Sequence, residues 1–148
     1  MKKIFYLSSI FLIIDIIIKL IIKNTLITYQ SIKIINNFFY ITYVKNTGAA
    51  WSILSGKQLF LILFSLIVII SLMIYLIKKK EYSKLEIIGY SLLISGSVGN
   101  LIDRVVYGYV IDYLDFYIFN YNFPIFNIAD TCIVIGIMVL FIDTWRGK

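Results

Sequence analysis

The sequence predicts an all-α membrane protein: four transmembrane helices with a small extracytoplasmic β-sheet on the longer loops. Three observations predict it. Of 148 residues, 61% are hydrophobic, more than the interior of a soluble domain of this length can take in. The apolar residues gather in runs, and about 20 such residues cross a bilayer as a helix. The lysines collect at the ends of those runs, the pattern of a chain oriented by its charges, so the net charge of +6 marks no nucleic-acid partner.

The whole chain reads as one integral-membrane domain, 1–148, with spans at about 4–22, 59–77, 85–106 and 126–142. Backbone polar groups must bond to one another in lipid, so these runs are helices and not strands. The first follows Met1-Lys2-Lys3 as a secretory signal would. It is longer than a typical signal core, lacks a small-x-small cleavage site and carries Asp15 and Lys19, so a retained span is expected. Residues 37–44 are rich in aromatic and β-branched side chains and predict a strand, with a turn at Asn46-Thr47-Gly48. The short loop after the second span holds Lys78, Lys79, Lys80 and Lys84, whereas 107–124 has neither Lys nor Arg. Both termini are therefore expected in the cytoplasm and the two long loops outside. The second outer loop, with Tyr107, Tyr109, Tyr113 and Phe116, is expected to lie among the headgroups.

Ionisable groups inside spans are costly unless paired, so each needs a reason. Asp15 and Lys19 stand four apart on one helix face, as a structural ion pair or as support for a nearby site. Span three carries Ser91, Ser95 and Gly99, a stripe along which another helix can approach closely. Its outer end bears Asn100, Asp103 and Arg104, either a salt-bridge knot or a group that orients a substrate.

Two aspartates border apolar stretches at the outer side, Asp112 and Asp130. If Asn127 is the N-cap of span four, Asp130 stands at N3, where the helix dipole favours a carboxylate; it either caps the helix or acts chemically. The chain has no histidine, which excludes Ser-His and His-zinc sites, and its lone Cys132 excludes an intrachain disulfide and Cys-rich metal sites. Carboxylates are nearly the only acid–base groups left for hydrolysis. A close pair shares one proton, as in aspartic proteases.

Three ordered motifs carry a resemblance: Val44-Lys45-Asn46-Thr47-Gly48-Ala49-Ala50-Trp51, Gly99-Asn100-Leu101-Ile102-Asp103-Arg104 and Phe126-Asn127-Ile128-Ala129-Asp130. Together with Val110-Ile111-Asp112, they make the whole chain resemble the bacterial lipoprotein signal peptidase (signal peptidase II) family. The resemblance implies an aspartyl endopeptidase of the cytoplasmic membrane that removes signal peptides from prolipoproteins, just before a diacylglyceryl-modified cysteine. It implies Asp112 and Asp130 as the catalytic pair, with Asn46, Gly48, Asn100, Asp103, Arg104 and Asn127 as supporting or substrate-contacting residues. It further implies a β cradle and a short interfacial helix over the site. The expected partners are lipid-modified prolipoproteins and membrane lipid, with the protein a monomer and no metal or cofactor.

The chain departs from the family at Trp51, where many members have Phe, and at Ile16 to Ile18, where polar residues are frequent. The second departure weakens any specific role for Lys19. Asp115 lies three residues past Asp112 and competes with it for the site. The alternative from another class is a small proton-coupled transporter using the same carboxylates, although such groups belong near mid-membrane.

Overall fold

The structure, a computed structural model, describes residues 1–49, 53–119 and 121–147. Its long helices are α1 (Lys2–Thr25), α2 (Gln58–Lys78), α3 (Lys84–Tyr107) and α4 (Ile128–Arg146), each long and apolar enough to cross a membrane. Their outward faces carry side chains such as Phe64, Ile67, Ile137 and Phe141 in the open. In water this would be a severe liability; in a bilayer it is the solvated surface.

Helix α3 is the hub and packs against α1, α2 and α4. Small residues permit this on two faces. Toward α1, Ser91 Oγ donates to Ile4 O at 3.1 Å, and a Cβ on Gly99 would stand 2.6 Å from Asp15 Oδ2. Toward α4, Gly96 lies against the Ala129 backbone and Gly89 opposite Gly136. Ser91 and Gly99 of the predicted stripe thus meet α1, while Ser95, hydrogen-bonded to Cys132, and the interleaved glycines meet α4. A capping box of Ser83 and Glu86 starts α3, and Gly108 ends it in the left-handed region at φ 75°. That turn leads directly into β3 (Val110–Ile118).

Strands β1 (Ser31–Ile35), β2 (Phe39–Asn46) and β3 form an antiparallel sheet, and β4 (Tyr121–Asn122) adds two residues beside the far end of β3. The sheet sits at the end of the bundle where α1 and α3 finish and α4 begins. Here the structure corrects the sequence reading twice. The strand expected over 37–44 is β2, shifted to 39–46, and it is preceded by an unforeseen partner, β1; Asn37 (φ 55°) makes the turn between them. The second outer loop, read as an aromatic loop, is in large part strand β3. Val110, Ile111 and Tyr113 are buried, and Tyr113 joins Tyr43, Ile22 and Leu26 in a core between sheet and bundle. Aromatic content suggested an interface, but strand pairing with β2 turned Tyr113 inward, while Tyr107, Tyr109 and Phe116 stay half-buried. Phe119, by contrast, is fully out. Among the described residues there is no short interfacial helix; Ala50, Trp51 and Ser52 lie outside them.

Candidate active site

Asp130 is placed by local chemistry. Asn127 is the N-cap of α4, and its Oδ1 accepts from Asp130 N at 2.9 Å. In return Asp130 Oδ2 accepts from Asn127 N at 3.1 Å. Asp130 Oδ1 is held separately, accepting from Asn100 Nδ2 of α3 at 2.7 Å. The cap and the site are therefore the same residue, with one carboxylate oxygen serving each neighbour.

Asp112 reaches this point from β3. The segment before α4 is stitched to β3 by Tyr113 N and Leu114 N donating to Phe126 O, and by Phe126 N donating to Leu114 O. Asn127 therefore lies beside the strand, and its Nδ2 donates to Asp112 Oδ1 at 2.7 Å. Asn46, at the end of β2, donates to Asp112 Oδ2 at 2.9 Å. Asn127 thus bonds both carboxylates, one through its side chain and one through its backbone. Burial pushes the Asp112 carboxyl up to about 7, and the neighbouring Asp130 charge pushes the same way; the Asn46 and Asn127 donors oppose it.

Both aspartates line a cavity of about 500 Å³ with Asn46, Ala49, Arg104 and Thr131. Its other wall is apolar: Phe123, Pro124, Ile125, Ile133, Val134 and Ile135. Val134 and Ile135 also stand on the outward face of α4, so the wall runs from the carboxylates onto the lipid side of the bundle. Arg104 lines the cavity, its Nη2 donating to Gly48 O at 3.1 Å and Nη1 to Asn100 O at 3.3 Å. Its buried Nε–H has no hydrogen-bond partner among the described residues. Gly48 contributes through its backbone: its N–H closes a turn onto Asn46 Oδ1 at 2.8 Å.

Asp103 does not enter the cavity lining. Its Oδ2 accepts from Ile111 N at 3.1 Å, which ties β3 to α3 next to Asp112. Asp115 is on the other face of β3, as the two-residue period requires. It accepts from Thr42 Oγ1 at 2.6 Å and is not among the residues lining the cavity. Asp115→Asn is accordingly expected to keep cleavage within about threefold of the parent while costing about 1–2 kcal/mol of stability. Initial rates and a thermal midpoint check both. A loss as deep as that of Asp112→Asn would mean the wrong aspartate had been chosen.

Lys19 departs from its reading in the sequence, where the apolar residues around it weakened any specific role. Its Nζ is buried 2.9 Å from Asp15 Oδ2, 3.0 Å from Asp103 Oδ2 and 3.1 Å from Asn100 Oδ1. Asp15 in turn accepts from Ala129 N at 3.1 Å, one residue before Asp130. Only the i, i+4 spacing of Asp15 and Lys19 hinted at this; nothing in the sequence pointed to the partners on α3.

The cavity thus joins two carboxylates, both held by asparagine side chains, to an apolar wall that reaches the outward face of α4. Residues 7–146 match the family model described as Signal peptidase (SPase) II. The chain belongs to the signal peptidase II family. It is a multi-pass bacterial membrane protease. It is 44% identical over 131 residues to a lipoprotein signal peptidase of Staphylococcus haemolyticus (strain JCSC1435), covering 88% of this chain and 83% of that one. To the lipoprotein signal peptidase of Staphylococcus aureus (strain MRSA252) it is 42% identical over 137 residues, covering 92% and 84%. A bacterial membrane enzyme solved in meso at 2.3 Å superposes with TM-score 0.91 and 38% identity, covering 99% of this chain and 89% of that one. A second, at 1.9 Å, gives TM-score 0.88 at 38% identity, covering 100% and 96%. Membership in this family gives no support to the transporter alternative.

Proposed function

We propose that this signal peptidase II is an aspartyl endopeptidase that cuts diacylglyceryl-modified prolipoproteins just before the lipidated cysteine, using water activated between Asp112 and Asp130. The observation that carries the reading is the joint hold of Asn127 on two carboxylates from separate elements at one cavity. Asp130 is the general base: it takes a proton from the water as the water attacks the scissile carbonyl carbon. Asp112 hands its proton to the carbonyl oxygen as that oxygen gains charge, giving a neutral diol. As the diol collapses, Asp112 takes a proton back from one hydroxyl, the C–N bond breaks, and the proton on Asp130 passes to the leaving amine of the cysteine. Asn46, Asn100 and Asn127 keep the carboxylates aimed, and the free Nε–H of Arg104 is placed to receive a substrate backbone carbonyl.

The acyl chains of the substrate lie along Ile133, Val134 and Ile135, where the cavity wall meets the bilayer. Lipid burial supplies the binding and the polar floor the chemistry. Both termini are cytoplasmic and the site faces outward, supported by the lysines at 78–80 and 84 and by the cation-free segment 107–124. Both aspartates and the asparagines that hold them lie in one chain, which is compatible with a monomer.

The direct test compares purified protein on a lipid-modified precursor peptide and on its unmodified twin. The lipidated peptide is expected to have a kcat/KM at least about 100-fold higher; equal values would overturn the lipid-recognition part of the reading. The mechanism also fixes a pH dependence. Asp112 must be protonated, so kcat/KM falls about tenfold per pH unit above about 7. Its ordinary value is 3.8, so between 3.8 and about 7 the folded protein holds a proton that the unfolded chain has released. Native stability therefore declines as pH rises through that window.

A further inference from the structure

We infer that Lys19 is a positioning residue for the reaction: its ammonium fixes which way the Asn100 amide points, and through that amide the aim of Asp130. The inference rests on the reading of Asp112 and Asp130 as the catalytic pair. A lysine ammonium carries donors and no acceptor. At 3.1 Å from Asn100 Oδ1 it can tolerate the amide oxygen there but not the amide nitrogen. Asn127 Nδ2 donates to the same oxygen at 3.2 Å, so a flipped amide would face two donors. The Asn100 Nδ2 is thereby left to donate to Asp130 Oδ1 at 2.7 Å.

The other two donors of Lys19 lead to the same place. Asp15, at 2.9 Å, accepts from Ala129 N beside Asp130; Asp103, at 3.0 Å, accepts from Ile111 N beside Asp112. A plain structural pair would need Asp15 alone. Here one buried cation ties α1 to the two elements that deliver the carboxylates, β3 and the start of α4.

The test uses full-length protein in lipid and a diacylglyceryl-modified precursor peptide. Lys19→Met keeps the apolar stem and removes the donors. It is expected to lower kcat about 100-fold, as for a misaimed catalytic group, with KM within about twofold. Because Lys19 acts through Asn100, the double variant with Asn100→Ala should be no more than about threefold slower than Asn100→Ala alone. The alkaline limb should also move to higher pH. Asp112 is faced by Lys19 from α1, Arg104 from α3 and Asp130 from α4, and removing the Lys19 charge takes away one of its facing cations and leaves Arg104. A folded K19M with kcat within about threefold of the parent, or losses that multiply in the double variant, would overturn the inference.

If K19M shows no thermal transition, Lys19→Arg decides. It keeps the charge but replaces three free donors by a rigid fork, so kcat should fall at least about tenfold with the pH limb unmoved. Parental kcat in K19R would then assign Lys19 to the fold alone. Asp112→Asn is run alongside: if it cleaves normally, the catalytic reading fails; if it is dead while the Lys19 variants are normal, the positioning role alone fails.

Discussion

Asp112→Asn, and separately Asp130→Asn, lowers kcat by about 10⁴-fold or more while the protein still folds. A loss of that size is typical when one member of a cooperating catalytic set is removed. The amide has nearly the shape of the carboxyl, and the buried Lys19 cluster beneath is untouched. What goes is specific. At 112 the amide cannot hand over and retrieve a proton at the carbonyl oxygen; at 130 it cannot accept one from water. Some stability goes as well, because each carboxyl accepts two hydrogen bonds and an amide NH₂ placed there must face a donor. The cost is about 1–3 kcal/mol. A thermal transition a few degrees lower, with cleavage abolished, is the expected pair of results.

Gly96→Ala damages fold and site together. Its Cβ would stand 2.2 Å from Ala129 O, a backbone atom that cannot rotate aside. Alanine is intrinsically the better helix former by about 1 kcal/mol, but this contact outweighs that gain. Helix α4 must move away from α3, and Ala129 is the residue before Asp130. Overpacking costs about 1–3 kcal/mol, and a displacement near 1 Å at the carboxylate costs about 100-fold in rate. Gly147→Ala is the control: its Cβ meets Asp143 O at 3.5 Å, an ordinary contact. Cleavage rates and thermal midpoints of both variants check the argument.

How much of this was legible beforehand follows from the range of each interaction. Lipid forces long apolar runs to be helices, so the four helices could be read from local composition. The cap of α4 could be read too, since Asn127 and Asp130 meet within one turn. The strands were harder. The partner β1 is a short exposed run, Ser31–Ile35, that takes its form from pairing with β2. The aromatic residues after Gly108 fit an interface and a strand equally well until β2 was known to lie beside them. Asp112 and Asp115 could not be told apart from composition; the alternation of β3 separates them. The least legible contact is Lys19 to Asn100. It joins α1 to α3 across most of the chain, and no spacing in α1 encodes it.

The central claim is that water, held between Asp112 and Asp130, attacks the peptide directly. A single turnover in water enriched in ¹⁸O tests it, with enzyme in excess over a lipid-modified precursor peptide. Direct attack predicts one labelled oxygen in the new carboxylate of the released signal peptide at the first turnover, and none in either aspartate. An unlabelled first product, with ¹⁸O appearing instead in the side chain of Asp112 or Asp130, would mean that a carboxylate attacks the substrate itself, and would contradict the account.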